Sequence, residues 1–267
     1  MEVSAVILSF NSQKYLKECL TSLFSSYKML GLEGEAFVVD NGSCDQSLAI
    51  LKDLKKVYGD NLKVIELASN TGTTYSRNLA LKKCQGEHVL VLDSDAYMNS
   101  DCLNGLIQCL VSEDSVGMCV PKLTYPDGRP QISVDEFPTI IHKIKRFLFL
   151  KQMEKKKPDF ENERTVDTAI SACWLLKREV IDKVGLLDEN IFYSPEDIDY
   201  CLRVWSEGYM IKYTPQNKMV HDAQELSRGF KINKFTFLHA KGLFYYFFKH
   251  KYMFSLSGLY RRLNIVK

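Results

Sequence analysis

The feature that most constrains this chain is an alternation in its first hundred residues. Short β-rich runs at 3–9, 36–39, 62–67 and 88–92, near-continuous in apolar residues except at Lys63 and Glu66, are separated by stretches of helical period. A strand buried on one face alternates apolar and polar residues, whereas a strand buried on both faces reads as a continuous apolar run. Runs of the second kind, spaced by helices, predict an α/β fold whose mostly parallel central sheet is flanked by helices. Leu16, Leu20, Leu23, Phe24 and Tyr27 share one face of a helix over 15–27. Asp45 is expected to cap a second helix carrying Leu48, Leu51 and Leu54, and 76–83 form a third. Ligands of such sheets sit beyond the carboxyl ends of the strands. The polar clusters fall there: Asn11, Asp40-Asn41, Asn70-Thr71-Gly72 and Asp93-Ser94-Asp95.

The second half is less regular. Tyr125-Pro126-Asp127-Gly128 signals a turn between two short strands, and 151–164 is charge-rich and reads as a surface loop or lid. A buried segment spans 168–176. Glu196-Asp197, placed after Pro195, opens a helix through Trp205 that stops at Gly208. A last strand covers 210–214, and His221-Asp222 closes a body of residues 1–225.

Charge divides the chain at that point. Residues 226–267 hold nine Lys and Arg and no acid, so the overall net charge of +2 leaves −7 on the body. The eight cysteines form no CxxC pair and mostly lie in apolar runs, which predicts buried free thiols in a reducing compartment. The opening apolar run is short and without a basic flank, so it reads as a first strand, and no apolar stretch is long enough to span a bilayer. The body is expected in the cytoplasm.

Four groups of residues can carry chemistry. Asp93 and Asp95, at i and i+2 past a buried strand, repel each other unless a cation lies between them. A hard divalent cation on such oxygen ligands would neutralise a diphosphate, although the same pair also suits a turn with helix-capping acids. His221 is a third candidate ligand, with Asp222 expected to orient its ring, or else an ordinary histidine. Glu196 and Asp197 read equally as acids placed against a helix N-terminus or as a general base for a hydroxyl. Asn70, Gly72 and Arg77 suit either a phosphate contact or a plain strand-to-helix turn.

Taken in order, Ile7-Leu8-Ser9-Phe10-Asn11, Val38-Val39-Asp40-Asn41-Gly42-Ser43, Asn70-Thr71-Gly72 with Arg77-Asn78, and Asp93-Ser94-Asp95 resemble the nucleotide-binding half of the inverting family-2 glycosyltransferases. The run 171–179, through Trp174, is similar to the acceptor-side signature of that family, continued by 185–189 and by 196–203 with Arg203. Within the family the rhamnosyltransferase-like branch is the most similar. The resemblance spans roughly residues 1–222 and implies a GT-A fold, Mn2+ or Mg2+, and a dTDP- or UDP-sugar donor, with dTDP-rhamnose or a UDP-hexose foremost. By matched position it places Ser9, Asn11, Asp40, Asn70, Gly72, Arg77 and Asp93 at the nucleotide. Asp93, Asp95 and His221 would hold the metal, and Asp197, with Glu196 second, would be the base. Trp174 and Arg203 would lie on the acceptor side. The acceptor would be a glycan or lipid-linked hydroxyl of a bacterial surface polysaccharide. Asp93-Ser94-Asp95 departs from the Asn-Pro-Asp of many rhamnosyltransferase-like members, and His221-Asp222 from the usual His-His. A sugar-1-phosphate nucleotidyltransferase and a non-catalytic partner subunit remain the alternatives.

The tail joins its nine cations to eleven aromatic residues. Phe237, Lys241, Phe244, Phe248 and Lys251 fall at helical spacing. This predicts a helical extension of residues 226–267 that lies on an anionic membrane surface, peripheral to the cytoplasmic face, or else packs on the body or a second subunit. Nucleic acid is excluded as a partner because the cations accompany bulky apolar clusters.

Overall fold

The computed structural model describes residues 1–155, 160–223 and 234–265, without the side chains of 146, 147, 150–155 and 234–237. Its first half is the expected succession of β1 (Val3–Ser9), α1 (Leu16–Leu30), β2 (Gly34–Asn41), α2 (Ser47–Tyr58), β3 (Leu62–Leu67), α3 (Thr73–Leu81) and β4 (His88–Asp93). The second half comprises β5 (Ala96–Tyr97), α4 (Ser100–Ser112), β6 (Val116–Thr124), β7 (Val134–Asp135), α5 (Ile140–Lys155), β8 (Arg164–Thr165), β9 (Thr168–Ala169), β10 (Cys173–Lys177), α6 (Arg178–Val184), α7 (Glu196–Ser206), β11 (Met210–His221), α8 (Lys234–His250) and α9 (Ser257–Arg262).

The main sheet runs β3-β2-β1-β4-β10-β6-β11-β5, with β8 on β11. The first four strands are parallel, and so are β6 and β11. β10 inserts antiparallel to both β4 and β6, so the sheet is mixed rather than parallel throughout. Period-two alternation sends each buried strand into two cores. In β1, Val3, Ala5 and Ile7 face the core under α1, α2 and α4, while Val6 faces the core under α3, α6 and α7. In β10, Cys173 and Leu175 face the first core, and Trp174 and Leu176 the second.

Several details differ from the sequence reading. Asp45 lies two residues before α2 begins, where its carboxylate accepts from the Ser47 and Gln13 N–H groups. The Tyr125–Gly128 turn forms, but its far side is a single bridge from Thr124 to Pro130. Residues 151–155 of the charge-rich stretch finish α5, 156–159 lie outside the described residues, and Arg164 is in β8. Glu161 and Glu163 there pair with Lys122 and Lys212, so these charges secure the stretch to the body. The last strand runs on to His221 through an irregularity between Thr214 and Lys218, where 215–217 leave the register and 218–220 rejoin β6. Cys109 of α4 and Cys119 of β6 form a disulfide, which corrects the expectation of eight free thiols. Of the other six, Cys44 is exposed and five are buried.

The described tail is packed on the body. Tyr246, Phe247, Tyr252, Leu259 and Leu263 are buried in the second core. Tyr245 and Lys249 bond Asp188, His250 bonds Asp199, and Tyr260 bonds Asp167. Among the described residues no helix is long and apolar enough to cross a membrane.

Candidate functional site

The polar clusters meet at the carboxyl edge of β1, β2 and β4, as strand direction requires. Beyond β1 the chain turns at Asn11, whose φ of 52° is left-handed, a conformation Asn tolerates better than most residues. Its side chain accepts from the Cys44 N–H at 2.8 Å, and its N–H donates to Ser43 Oγ at 2.9 Å. Asp40, buried at the end of β2, accepts from Ser43 Oγ at 2.6 Å and from buried Ser9 Oγ at 3.4 Å. The β1 and β2 turns are thereby held together as one wall.

After β3, Asn70 Oδ1 accepts from the Gly72 N–H at 3.0 Å and from Asn41 Nδ2 at 3.2 Å. Gly72 has a φ of 90°, and a Cβ there would meet the Phe192 carbonyl oxygen at 2.4 Å. Only glycine lets the start of α3 approach the 190s segment this closely. Asn78, one position beyond Arg77, stitches α3 to Leu187 and Glu189.

Arg77 is a buried connector, not the surface arginine that a simple strand-to-helix turn would carry. Its guanidinium donates to Asp93 Oδ1 at 2.5 Å and to Ser171 Oγ at 2.8 Å, and lies 3.6 Å from Glu196 Oε1. Only its Nε lacks a partner among the described buried side-chain atoms. The arginine thus couples the acid that ends β4 to the acid that opens α7.

Asp93, Asp95 and His221 present one ligand atom each within 4.8 Å of one another. His221 Nε2 lies 3.4 Å from Asp95 Oδ1 and 3.8 Å from Asp93 Oδ2. Burial raises the Asp93 pKa; Arg77 opposes this, and the nearby charges of Asp95 and Asp197 add to it. The ring is oriented by Gln131, not by Asp222. Gln131 Nε2 donates to the His221 carbonyl at 2.6 Å, which turns its Oε1 to His221 Nδ1 at 2.9 Å. In the neutral ring Nδ1 then carries the proton, and the Nε2 lone pair faces the two carboxylates. A lone pair and two acids converging on one point suit a Mn2+- or Mg2+-like cation, so the donor set fits the expected metal. Asp222 instead donates its N–H to the Asp95 carbonyl, and its carboxylate meets Lys14 at 3.4 Å.

The two acids of α7 have different surroundings. Glu196 is buried and accepts from Ser171 Oγ at 3.1 Å. Burial, reinforced by the charge of Asp197 and opposed by Arg77, pushes its pKa up to about 8. Asp197 is half-buried, with Oδ1 accepting from the Ile198 N–H at 2.8 Å. Its charge also helps to raise the pKa of Asp93, so the α7 acid acts on the acid that ends β4.

The Trp174 and Arg203 side chains are engaged within the body. The Trp174 ring is 1 % exposed, stacks near Tyr200 and donates to the Ala169 carbonyl. Arg203 spends its guanidinium on Asp199 and on the carbonyls of Val184 and Leu186. Both hold α7 in place, since an inward position on β10 and an i+4 acid on α7 direct them into the body. Ser171 and Gln131 were not singled out from sequence. Nothing local marks them, because Ser171 meets Arg77 and Glu196 from 94 and 25 positions away and Gln131 meets His221 from 90.

Residues 4–185 match the family model described as Glycosyl transferase family 2. A stretch of 130 residues is 40% identical to the poly(ribitol-phosphate) beta-N-acetylglucosaminyltransferase TarS of Staphylococcus aureus, covering 48% of this chain and 22% of that protein. The structure of S. aureus TarS 1–349 with UDP-GlcNAc aligns over 86% of this chain and 62% of that one, with TM-score 0.57 and 24% identity. A poly(ribitol-phosphate) beta-glucosyltransferase of Bacillus spizizenii is 28% identical over 246 residues, 87% of this chain and 37% of that protein. A mannosyltransferase of Pyrobaculum calidifontis in complex with GDP-Man and Mn2+ shares the fold over 99% of this chain and 68% of that one, at TM-score 0.66 and 18% identity. The chain spans less than half the length of either curated relative.

Proposed function

Starting from the fact that the chain belongs to glycosyltransferase family 2, we propose that it transfers a sugar from a UDP-sugar, a hexose or N-acetylhexosamine donor, to a hydroxyl of a polyol-phosphate surface polymer, with inversion at the anomeric carbon. The donor and acceptor classes are supported by the poly(ribitol-phosphate) relatives and by the UDP-GlcNAc complex of TarS. A dTDP-rhamnose donor has no such support among them.

One observation carries the reading: Asp93, Asp95 and His221 converge within 4.8 Å, and Asp197 lies within electrostatic range of Asp93. A divalent cation held by those three residues would offset the charge of the departing diphosphate. The Asp40–Ser9 wall and the Asn11 turn would receive the nucleoside, while Asn70 and Gly72 shape the turn bonded to Asn41 beside it. Arg77 would keep Asp93 in place rather than touch phosphate, since its guanidinium is already shared between two acids.

Asp197 would act as base. It takes the proton of the acceptor hydroxyl, whose oxygen bonds to the anomeric carbon as the bond to the diphosphate oxygen breaks. Glu196 is less suited, because it is buried and kept protonated to about pH 8. Asp197→Asn is expected to bind a UDP-sugar with Mn2+ like the wild type in calorimetry, yet to lose transfer by roughly 10²–10⁴-fold. Near-wild-type transfer by this variant would overturn the assignment.

A further inference from the structure

The proposed site draws on residues of α3, β4, α7 and β11, and leaves the outer surface of α5, α8 and the chain after α8 without a task. In α8 the side chains divide by period. Tyr246, Phe247 and His250 turn into the body, while Tyr245 and Lys249 reach Asp188. The remaining positions, Lys241, Phe244 and Phe248 with Lys251 just beyond, form one stripe towards solvent. Phe244 is 70 % and Phe248 73 % exposed. Phe237, expected in the same stripe, has a side chain outside those described.

A second apolar surface adjoins the first. The N–H of Ile140, at the start of α5, donates to the Met253 carbonyl at 3.0 Å. Lys143 of α5 is close enough to His239 of α8 to help burial lower that histidine to about 4. α5 turns Ile141, Ile144 and Leu148 outward at i, i+3 and i+7, each about half exposed, and Phe254 beyond α8 is 68 % exposed. Exposed phenylalanines on this scale mark a surface with a partner.

Charge identifies the partner. Residues 140–155 hold five Lys and Arg and one acid, and 226–267 hold nine and none, leaving a net −11 for the rest of the chain. The inward Lys249 is spent on Asp188 and Asp199. The outward Lys241 and Lys251 have no acid partner among the described residues. Beside Phe254 an open cleft of about 400 Å³ is lined by Lys251, Tyr252, Ser255, Ser257 and Arg262, with no acid among its lining residues. A second copy meeting this face would set cations against cations. A nucleic acid would leave the phenylalanines uncovered. An anionic bilayer offers both complements, phosphates for the cations and an apolar layer for the rings.

We propose that the face formed by α5, α8 and residues 251–262 docks on an anionic phospholipid surface, with Phe244, Phe248 and Phe254 entering the interface and the Lys251–Arg262 cleft holding a headgroup phosphate. α8 lies directly against the segment that leads into α7, since a Cβ on Gly242 would meet the Ser194 carbonyl oxygen at 2.2 Å. Docking would therefore bring α7 to roughly one helix diameter, about 10 Å, from the lipid.

Co-sedimentation of the 267-residue chain with phosphatidylglycerol-containing or pure phosphatidylcholine vesicles tests this. The wild type is expected to sediment with the anionic vesicles only, and to be released by high salt. The pair Phe244→Ser and Phe248→Ser, and separately Lys251→Gln with Arg262→Gln, are expected to weaken binding at least tenfold while keeping the wild-type melting temperature and UDP-sugar affinity. Equal binding to both vesicle types, no binding by the folded wild type, or unchanged binding by both variants would overturn the proposal. So would light scattering that shows a dimer dissociated by the phenylalanine substitutions, because the covered partner would then be a second copy. The proposal stands apart from the transfer reaction, as lipid binding and sugar transfer can each fail without the other.

Discussion

Gln131 shows how a residue away from the reacting atoms can decide what a site binds. Its amide is fixed at the nitrogen end by the His221 carbonyl, so its oxygen can only face Nδ1. Replacing it with leucine keeps much of the volume but frees the ring to rotate and to exchange tautomers. Gln131→Leu is expected to bind Mn2+ roughly 10–100-fold more weakly, the usual effect of losing a ligand-orienting hydrogen bond. Titration calorimetry with Mn2+ alone measures this, and an unchanged affinity would show that His221 is oriented otherwise. Glu196 illustrates the converse. Its side chain sits beside Arg77 yet is held neutral to about pH 8, since burial and Asp197 outweigh that one cation.

At the scale of elements, α7 carries the proposed base on one face and its anchor on another. Asp199, two residues past Asp197, is fully buried and receives Arg203 Nε at 3.0 Å, Lys249 Nζ at 2.7 Å and His250 Nε2 at 2.8 Å. Three cationic or ring donors around one carboxylate offset its desolvation, and two of them come from α8. Lys249 also reaches Asp188 at 2.6 Å, so one ammonium ties α7, the 185–189 segment and α8 together. Burial alone would raise the Asp188 pKa, but the bonds from Lys249, Asn190 and Tyr245 outweigh it and hold the carboxylate well below its usual range. A depressed carboxylate contributes stability that is present above its unfolded pKa of about 3.9 and lost as pH falls towards the folded value. Lys249→Met should cost about 2 kcal/mol near neutral pH. Its disadvantage should shrink as the pH is lowered below about 4. Urea unfolding between pH 2 and 7 reads both effects, and a cost that stays constant down to pH 2 would contradict the assignment.

For the molecule as a whole, the tail completes the fold as well as presenting a face. Tyr246, Phe247, Leu259 and Leu263 share a core with Trp174, Tyr200 and Trp205 of the body. Residues 1–225 made alone would expose that surface and leave Asp199 without Lys249 and His250. The shortened chain is expected to aggregate or to lose cooperative unfolding. A soluble product with a sharp melt near that of residues 1–267 would show that the body folds independently.

The linear order of residues by itself determined the first half of the fold and the edge at which ligands gather. Short apolar runs of strand length spaced by helical periods suit strands covered on both faces, and each strand's end is local information. It also marked Asp93 and Asp95, because adjacent acids past a buried strand are legible without partners. What only the tertiary structure decided is long-range. Burial turned Arg77 into a link between two acids, gave His221 to Gln131 rather than to neighbouring Asp222, and put Trp174 and Arg203 into packing. The tail was divided in the same way: its composition announced aromatics and cations, but only packing against Asp188, Asp199 and the second core selected which turn inward. Such choices depend on which distant groups share a desolvated space, and spacing along a chain does not encode that.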